Sequence, residues 1–305
     1  MDISSLLAAI PGAISQGVLW GIMALGVYTT YRILNISDLT VDGSFATGGC
    51  VAAVALVNGV NPVLSLLLAL IAGLLAGAIT GFLHTKCEIP AILAGILTQL
   101  GLYSINLRIM GRSNTPLLKI DTLFSQVKDI THLSSQSSAI LIGVLVVGLL
   151  VVIMYWFYGT EIGSAIRATG NNERMVESLG VNTKTTKMLG FMIANGLVAL
   201  SGALIAQSQG YADVKQGTGA IVIGLASIII GEVALGKRRN FMVRLFTIVV
   251  GSVLYRIVVA IVLQMGLSTD DLKLLTAVLV AIALTIPVMI EKQQQKSHYK
   301  AHIEG

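Results

Sequence analysis

The chain has 305 residues, of which 55% are hydrophobic and only 11% are charged, and its formal net charge is +5. With a mean hydropathy of +0.85, this composition excludes a soluble enzyme, a soluble binding domain or a nucleic-acid-binding domain. At about 20 apolar residues per span, the length accommodates roughly eight to ten transmembrane helices and little else. We therefore expect an all-α, polytopic membrane protein with a single transmembrane domain over residues 1–305, working as one part of a larger assembly.

The apolar runs predict about nine spans. A short segment, 1–10, is expected to lie along the membrane surface and to end at Pro11. The spans are then predicted at 12–34, 45–57, 63–82, 89–109, 137–158, 188–208, 220–235, 241–263 and 272–290. The segment 111–136 is polar and is predicted to be an external loop, 236–239 is a basic loop, and 291–305 is a charged tail that is expected to be mobile.

Lysine and arginine residues predict the orientation of these spans. If the polar segment 159–187 faces the cytosol, alternation of the spans places roughly twice as many Lys and Arg residues inside as outside. The C-terminus is then cytosolic and the N-terminus outside. Because the positive charge is distributed in this way, we interpret it as a topology signal and do not predict nucleic-acid binding.

Two features concern the packing of the spans. The segments 21–25 (GIMAL) and 196–200 (GLVAL) are each followed at the same distance by an aspartate, Asp38 and Asp213. Five spans separate the copies, so they would run in opposite directions, which suggests an inverted repeat. Gly73, Gly77 and Gly81 form a stripe of small residues, which we expect to serve packing inside the bundle rather than dimerisation.

The polar segment 159–187, which we call the coupling loop, is predicted to form two short helices. The first is predicted over 161–169, and a turn follows at Gly170-Asn171-Asn172, because Gly and Asn tolerate left-handed backbone angles. The second is predicted over 172–179, where Gly180 ends it, and Asn182 or Thr183 can cap the next helix. The alternative interpretation is an ordinary connection between spans.

Three stretches resemble one family of bacterial membrane proteins. The first combines Gly163, Ala165, Arg167, Ala168, Gly170, Asn172 and Gly180-Val181-Asn182, whose spacing resembles the cytoplasmic loop of ABC importer permeases of the branched-chain amino acid and ribose superfamily. The second, residues 38–44 (DLTVDGS), is similar to the DLSVGS segment of ribose-type permeases. The third, Tyr255-Arg256 followed by Leu267 and by 271–277 (DLKLLTA), resembles permeases of tryptophan/tyrosine-type uptake systems. Together the three stretches extend over nearly the whole chain.

The resemblance implies a permease of the bacterial inner membrane that passes a small, amino-acid-like solute by alternating access and is not an enzyme. It implies a homodimer in membrane lipid with two ABC ATPases and an extracellular substrate-binding protein, and no cofactor in this chain, since the ATPase binds ATP. It also implies that the coupling loop docks on the ATPase. The expected coupling residues are Gly163, Ile166, Arg167, Ala168, Gly170, Asn171, Asn172 and Gly180.

Few polar residues lie inside the predicted spans, and these suggest a translocation path. We expect the path along the second and fourth spans, at Ser44, Thr47, Gln99 and Ser104, with a polar entrance at Asp38 and Asp42. For Asp38 and Asp42 a helix-capping role is the alternative. Arg256 lies deep in a span and is either functional or a side chain that extends toward the membrane surface or pairs with Asp38 or Asp213. Glu232 and Arg244 are expected to form an ion pair.

Two other classes of membrane protein could have a similar set of apolar spans. An ion-coupled secondary transporter would need carboxylates or histidines deep in several spans, and the sequence offers only Glu232, near the edge of one span. A membrane enzyme would need a cluster of nucleophile, base or metal ligands. The sequence shows no such cluster, so we predict neither catalytic nor metal-binding residues.

Overall fold

The structure is a computed structural model that describes residues 3–132, 134–235 and 240–264, together with 274, 276–278, 280–282 and 285. Its helices are α1 (Ile3–Tyr28), α2 (Thr40–Val57), α3 (Pro62–Thr85), α4 (Ala91–Met110), α5 (Leu123–Thr131), α6 (Ser135–Gly159), α7 (Glu161–Asn171), α8 (Glu173–Ser178), α9 (Thr183–Gln209), α10 (Ala220–Leu235) and α11 (Phe241–Gln264). A π-helical turn, Thr29–Ile33, extends α1. Two short strands, β1 (Asn114–Pro116) and β2 (Tyr211–Asp213), pair with each other.

Seven of these helices are long and apolar enough to cross a membrane, namely α1 with its π-helical turn, α2, α3, α4, α6, α9 and α11. Helix α10 is a shorter apolar helix. These eight helices match the first eight predicted spans and confirm a polytopic helical fold. The predicted ninth span lies largely outside the described residues, and the basic loop 236–239 and the tail 291–305 lie wholly outside them.

Two helix starts differ from the predictions. Pro11 lies inside α1 and does not end a surface segment. A proline removes only one main-chain donor, and membrane helices tolerate this loss because nearby groups compensate for it. Helix α2 begins at Thr40 rather than at residue 45, because the Asp38 carboxylate accepts a hydrogen bond from the Thr40 N–H at 2.9 Å and so satisfies its first turn.

The segment 111–136, predicted to be an external loop, contains ordered structure, and so does the connection between α9 and α10. Strand β1 pairs antiparallel with β2, which places Thr115 opposite Ala212. Helix α5 lies between β1 and α6 in the chain and begins with a capping box formed by Thr122 and Ser125. The sequence prediction missed the strands because each has three residues, too few for an alternation of apolar and polar side chains to be recognised.

The glycine stripe of α3 lies against α9. A Cβ atom added at Gly73 would lie 2.3 Å from the Asn195 carbonyl oxygen, and one added at Gly77 would lie 2.2 Å from the Phe191 carbonyl oxygen. Only glycine permits this approach of two helix backbones. The stripe therefore serves packing inside the bundle, as predicted.

The contacts between spans support the predicted inverted repeat. Helix α1 packs on α11, and α9 packs on α3 in the same antiparallel manner. Helices α1 and α9 run in opposite directions, since Ser201 donates to the Leu19 carbonyl at 2.8 Å and Gly26 lies beside Ala194. Exchanging α1 with α9 and α3 with α11 therefore reproduces the packing. Inverted repeats commonly place the transport site near the contact between the two halves.

Candidate functional site

The coupling loop has the predicted two-helix form. Helix α7 begins after Thr160, whose side chain accepts a hydrogen bond from the Gly163 N–H at 3.3 Å. Helix α8 begins after Asn172, whose side chain accepts from the Met175 N–H at 3.2 Å. Gly180 has a φ of +83° and follows the end of α8, and Asn182 is the cap of α9. Polar side chains therefore cap the start of each helix at Thr160, Asn172 and Asn182, whereas a glycine follows the end of α8.

The break between the two helices does not lie at Gly170. Helix α7 continues through Gly170 and Asn171, and the backbone becomes extended at Asn172, with φ −156° and ψ 92°. Gly170 instead lies against the end of the first span, where an added Cβ would stand 1.9 Å from the Ile33 carbonyl oxygen. The prediction of a left-handed Gly170 is therefore wrong, and the residue must be glycine because of a close approach.

One face of the coupling loop anchors it to the membrane helices. Ile166 is fully buried, with 0% of its surface exposed. The Thr169 hydroxyl lies 2.8 Å from the Thr186 hydroxyl of α9. A direct contact of Ile166 with a partner, as the sequence suggested, is incompatible with this burial, so Ile166 has an anchoring position.

The opposite face of the loop is exposed and partly apolar. Leu179 is 72% exposed and Met175 is 48% exposed. Sequence reasoning missed them because a six-residue helix is too short to show which of its faces is buried. Of the predicted coupling residues, Gly163 is buried, Ala168 and Gly170 are half-buried, and the exposed ones are Arg167, Asn171, Asn172 and Gly180.

Three arginines line a cavity of about 640 Å³ between the coupling loop and the ends of the spans. They are Arg32, Arg167 and Arg244. Arg32 forms an ion pair with Glu232 at the end of α10, and the pairing of Glu232 with Arg244 stays a prediction. The guanidinium of Arg167 lies 5.1 Å from the centre of the Phe241 ring. Three cationic side chains therefore line the cavity beside the loop, and one of them is paired with a glutamate.

A buried hydrogen-bond network joins α2 to α9. The second oxygen of the Asp38 carboxylate accepts from the Asn195 side-chain amide at 2.7 Å. The Asn195 oxygen in turn accepts from the Ser44 hydroxyl at 2.6 Å. Helix α4 approaches closely here, since a Cβ at Gly95 would lie 2.8 Å from the Leu39 nitrogen. Asp38 thus caps α2 and fixes its start within the bundle.

Asp42 lies in the first turn of α2, but its side chain caps the start of a different helix, α10. Its carboxylate accepts hydrogen bonds from the Gly219 N–H at 2.8 Å and from the Ile221 N–H at 2.9 Å. These donors lie at the start of α10, where a negative charge is favoured by the exposed N–H groups and the helix dipole. The carboxylate therefore connects the start of α2 to the start of α10, the corresponding helices of the two repeat halves.

Arg256 of α11 has an unusual environment. Its guanidinium lies 4.2 Å from the centre of the Trp20 ring, and its buried Nε has no hydrogen-bond partner among the described residues. The pairing suggested with Asp38 or Asp213 is not observed, since Asp38 is bonded to Thr40 and Asn195. A ring contact contributes about 0.5–2 kcal/mol, less than the cost of burying an unpaired charge.

The remaining predicted path residues lie apart from Arg256. Thr47 is buried and donates to the Gly43 carbonyl at 2.9 Å. A Cβ added at Gly43 would lie 3.0 Å from the Cα of Gln99, so α2 and α4 are in close contact there, and Ser104 is exposed on α4. Arg256 lines a separate cavity of about 360 Å³ between α10 and α11, and none of these residues lines it. Their role in a path stays a prediction.

Sequence comparisons relate the chain to transport proteins. A family profile described as branched-chain amino acid transport system / permease component matches residues 9–288. The chain is 40% identical over 274 residues to a tyrosine transport system permease protein of Clostridioides difficile (strain R20291), which covers 90% of each chain. It is 32% identical over 222 residues to the autoinducer 2 import system permease protein LsrC of Yersinia pseudotuberculosis serotype O:3 (strain YPIII), which covers 70% of this chain and 59% of the relative.

Two solved structures have a similar fold. One is described as PsaBC from Streptococcus pneumoniae in complex with Fab, with a TM-score of 0.54, 15% identity, and coverage of 92% of this chain and 95% of that chain. The other is an inward-facing conformation of a putative metal-chelate type ABC transporter, with a TM-score of 0.53, 15% identity, and coverage of 95% and 90%. At this level of identity the likeness concerns the fold alone.

Proposed function

Because the chain belongs to the family of branched-chain amino acid transport permeases, we propose that it imports an amino acid, one with an aromatic side chain. The chain is the permease component of an ABC transporter and a multi-pass membrane protein. The observation that carries its role as a coupled permease is the coupling loop, which is anchored on one face and exposed and partly apolar on the other. The tyrosine permease among its relatives supports the choice of solute.

The proposed assembly follows from the family of the chain and from the exposed face of its loop. An ABC ATPase docks on the exposed face at Met175 and Leu179, and ATP binds to that partner. A substrate-binding protein delivers the solute from the other side of the membrane, and a second copy of this chain completes a homodimer. In this proposal the chain acts as a permease, as its relatives do, and carries out no reaction on the solute.

The anchoring contacts explain how movement of the ATPase would reach the membrane. Gly170 lies against the end of the first span at Ile33, and Thr169 contacts Thr186 of α9. Helices α1 and α9 are the corresponding spans of the two repeat halves. A displacement of the loop is therefore transmitted to both halves, which is the movement that alternating access requires.

The first test of this function replaces Leu179 with aspartate. A charge on the exposed apolar face is expected to reduce co-purification of the ATPase and ATP-dependent uptake of L-tyrosine by at least about tenfold, which corresponds to about 1.4 kcal/mol of binding free energy. The matched control is Leu118→Asp, because Leu118 is 79% exposed at the opposite end of the bundle.

The same variant separates the two transporter classes. An ion-coupled secondary transporter would keep its uptake in Leu179→Asp and would lose it when an ionophore collapses the ion gradient while ATP is maintained. Undiminished co-purification and uptake in Leu179→Asp would refute docking at this face.

The second test concerns orientation in the bacterial inner membrane, for which we propose a cytosolic coupling loop, a cytosolic C-terminus and an external N-terminus. In a variant without Cys50 and Cys87, single cysteines at the exposed positions Asn171 and Asn240 are expected to be protected from an impermeant thiol reagent in intact cells. A cysteine at Gln126, exposed on α5, is expected to react. Labelling of a cysteine at position 171 from outside the cell would contradict the proposed orientation and support the opposite one.

A further inference from the structure

A cavity of about 360 Å³ lies between the first residues of α10 and the middle of α11. Its size falls within the range of small-molecule pockets, roughly 300–1,000 Å³. Arg256 lines it, and so do Thr218 and Gly219 from the segment before α10. This cavity is separate from the one that the coupling loop covers.

The charge in this cavity lacks a counter-ion among the described residues. Two carboxylates of the bundle already have partners, since Asp38 accepts from Thr40 and Asn195 and Asp42 accepts from Gly219 and Ile221. Trp20 covers one side of the guanidinium, and the Nε donor is unused. A guanidinium inside a span that has an unused donor and no counter-ion among the described residues is suited to bind an anion, and a carboxylate matches its planar geometry.

The rest of the cavity is apolar. Val222, Ile223 and Val259 line it, and Ala277 contributes from the segment beyond α11. Tyr255 also lines it, with its hydroxyl 3.0 Å from the Thr276 hydroxyl. A cavity with one cationic side chain and mostly aliphatic and aromatic walls selects a small molecule that has a carboxylate and an apolar body.

We propose that this cavity is the solute site of the permease, in which Arg256 binds the solute carboxylate and the apolar walls receive its side chain. The inference rests on the proposed function and adds the chemical group by which the membrane subunit itself recognises its solute. The Gly219 N–H donates a hydrogen bond to the Asp42 carboxylate, and this bond connects one wall of the site to α2. A shift of α2 relative to α10 would therefore alter the site and release the solute.

The test uses Trp20 as a reporter of the guanidinium that lies over it. The chain has two tryptophans, so Trp156→Phe leaves Trp20 as the only one. We would titrate this full-length chain in nanodiscs with L-tyrosine and with tyramine, which lacks only the carboxylate. The Trp20 emission is expected to change saturably with L-tyrosine and to require at least about tenfold more tyramine, because a site built around a charged donor rejects an analogue without its acceptor.

Two variants are expected to remove this preference by different routes. Arg256→Gln removes the cation, whereas Val222→Phe fills the cavity and leaves the cation in place. Arg256→Lys keeps the charge and is expected to retain a reduced preference for L-tyrosine, which a role limited to packing on Trp20 would not predict. Arg108→Gln is the control, since Arg108 is exposed near the end of α4.

The outcomes distinguish the site from the function. An equal response to L-tyrosine and tyramine, or no response to L-tyrosine, would overturn the site. Uptake of L-tyrosine by complexes carrying Arg256→Gln and Val222→Phe at the wild-type rate would overturn it as well and leave the proposed function intact. A carboxylate-dependent Trp20 response in a chain whose assembled complex takes up no amino acid would support the site and refute the function.

Discussion

Replacement of Gly170 by alanine is expected to destabilise the permease, although the change adds a single carbon. The new Cβ would lie 1.9 Å from the Ile33 carbonyl oxygen and 2.7 Å from the Leu34 Cα. Both are backbone atoms, which cannot rotate away, so α7 or the end of the first span must shift. Overpacking of this kind costs about 1–3 kcal/mol. We expect the thermal midpoint of the purified chain to fall by about 2–10 °C.

The matched controls for this prediction are Gly148→Ala in α6 and Gly101→Ala in α4. A Cβ at either position would meet no atom within 4 Å. Alanine favours a helix over glycine by about 1 kcal/mol, so these variants are expected to be as stable as the wild type or slightly more stable. Equal midpoints for Gly170→Ala and Gly148→Ala would show that α7 does not pack on the first span as described. Loss of coupling to the ATPase should accompany the loss of stability, because Gly170 is part of the anchoring face.

Elements that depend on neighbouring residues alone could be predicted from the sequence. Helix α10 has the predicted bounds, since a continuous apolar run between polar segments determines them. The same holds for Asn172 and Gly180, which act within one turn of their own position. Apolar length and local capping suffice for such elements.

Elements that depend on contacts between distant spans could not be predicted. Gly170 shows this most clearly, since glycine is used both in left-handed turns and at close approaches, and the sequence does not distinguish the two uses. Asp42 lies 177 residues from Gly219, and Arg32 lies 200 residues from Glu232. No pattern in a single sequence identifies these partners.

Which residues of the coupling loop are buried could also not be predicted from the sequence. Ile162 and Ile166 are four residues apart and would share one face of an isolated helix. In the structure Ile162 is 54% exposed and Ile166 is fully buried, because α6, α9 and the end of the first span pack against only part of α7. The exposed surface of the loop therefore includes residues of α8, such as Met175, that no helical pattern in α7 predicts.

Among substitutions in the bundle that leave the side-chain volume nearly unchanged, Asn195→Leu is expected to be the most destabilising. The Asn195 amide donates to the Asp38 carboxylate at 2.7 Å and to the Phe191 carbonyl at 2.9 Å. Leucine has a similar size but leaves a buried carboxylate without one of its donors. Such a loss costs about 1–3 kcal/mol, and more when the group left behind is charged. The thermal midpoint of the purified chain is the measurement.

A second substitution shows whether the charge is responsible. Asp38→Asn in the Asn195→Leu background removes the carboxylate that has lost its donor, so it is expected to restore part of the stability. As a single variant it should instead destabilise the chain, because the Asp38 cap of α2 is weakened. The non-additivity of the two changes gives their coupling energy, expected to be about 0.5–3 kcal/mol. The control is Asn58→Ala, an exposed asparagine that bonds only within α2, with an expected effect within about 0.5 kcal/mol.

The functional consequence of Asn195→Leu follows from the position of the network. Asp38 and Asn195 fix the start of α2, and Asp42, one turn further along α2, holds the start of α10 beside Arg256. If α2 shifts when the Asp38 carboxylate that caps it loses its Asn195 donor, the wall of the Arg256 cavity shifts with it. Uptake is therefore expected to fall in Asn195→Leu even below the melting temperature, and to recover partly when Asp38→Asn is added. Full uptake in a destabilised Asn195→Leu complex would separate the network from transport and assign it to folding alone.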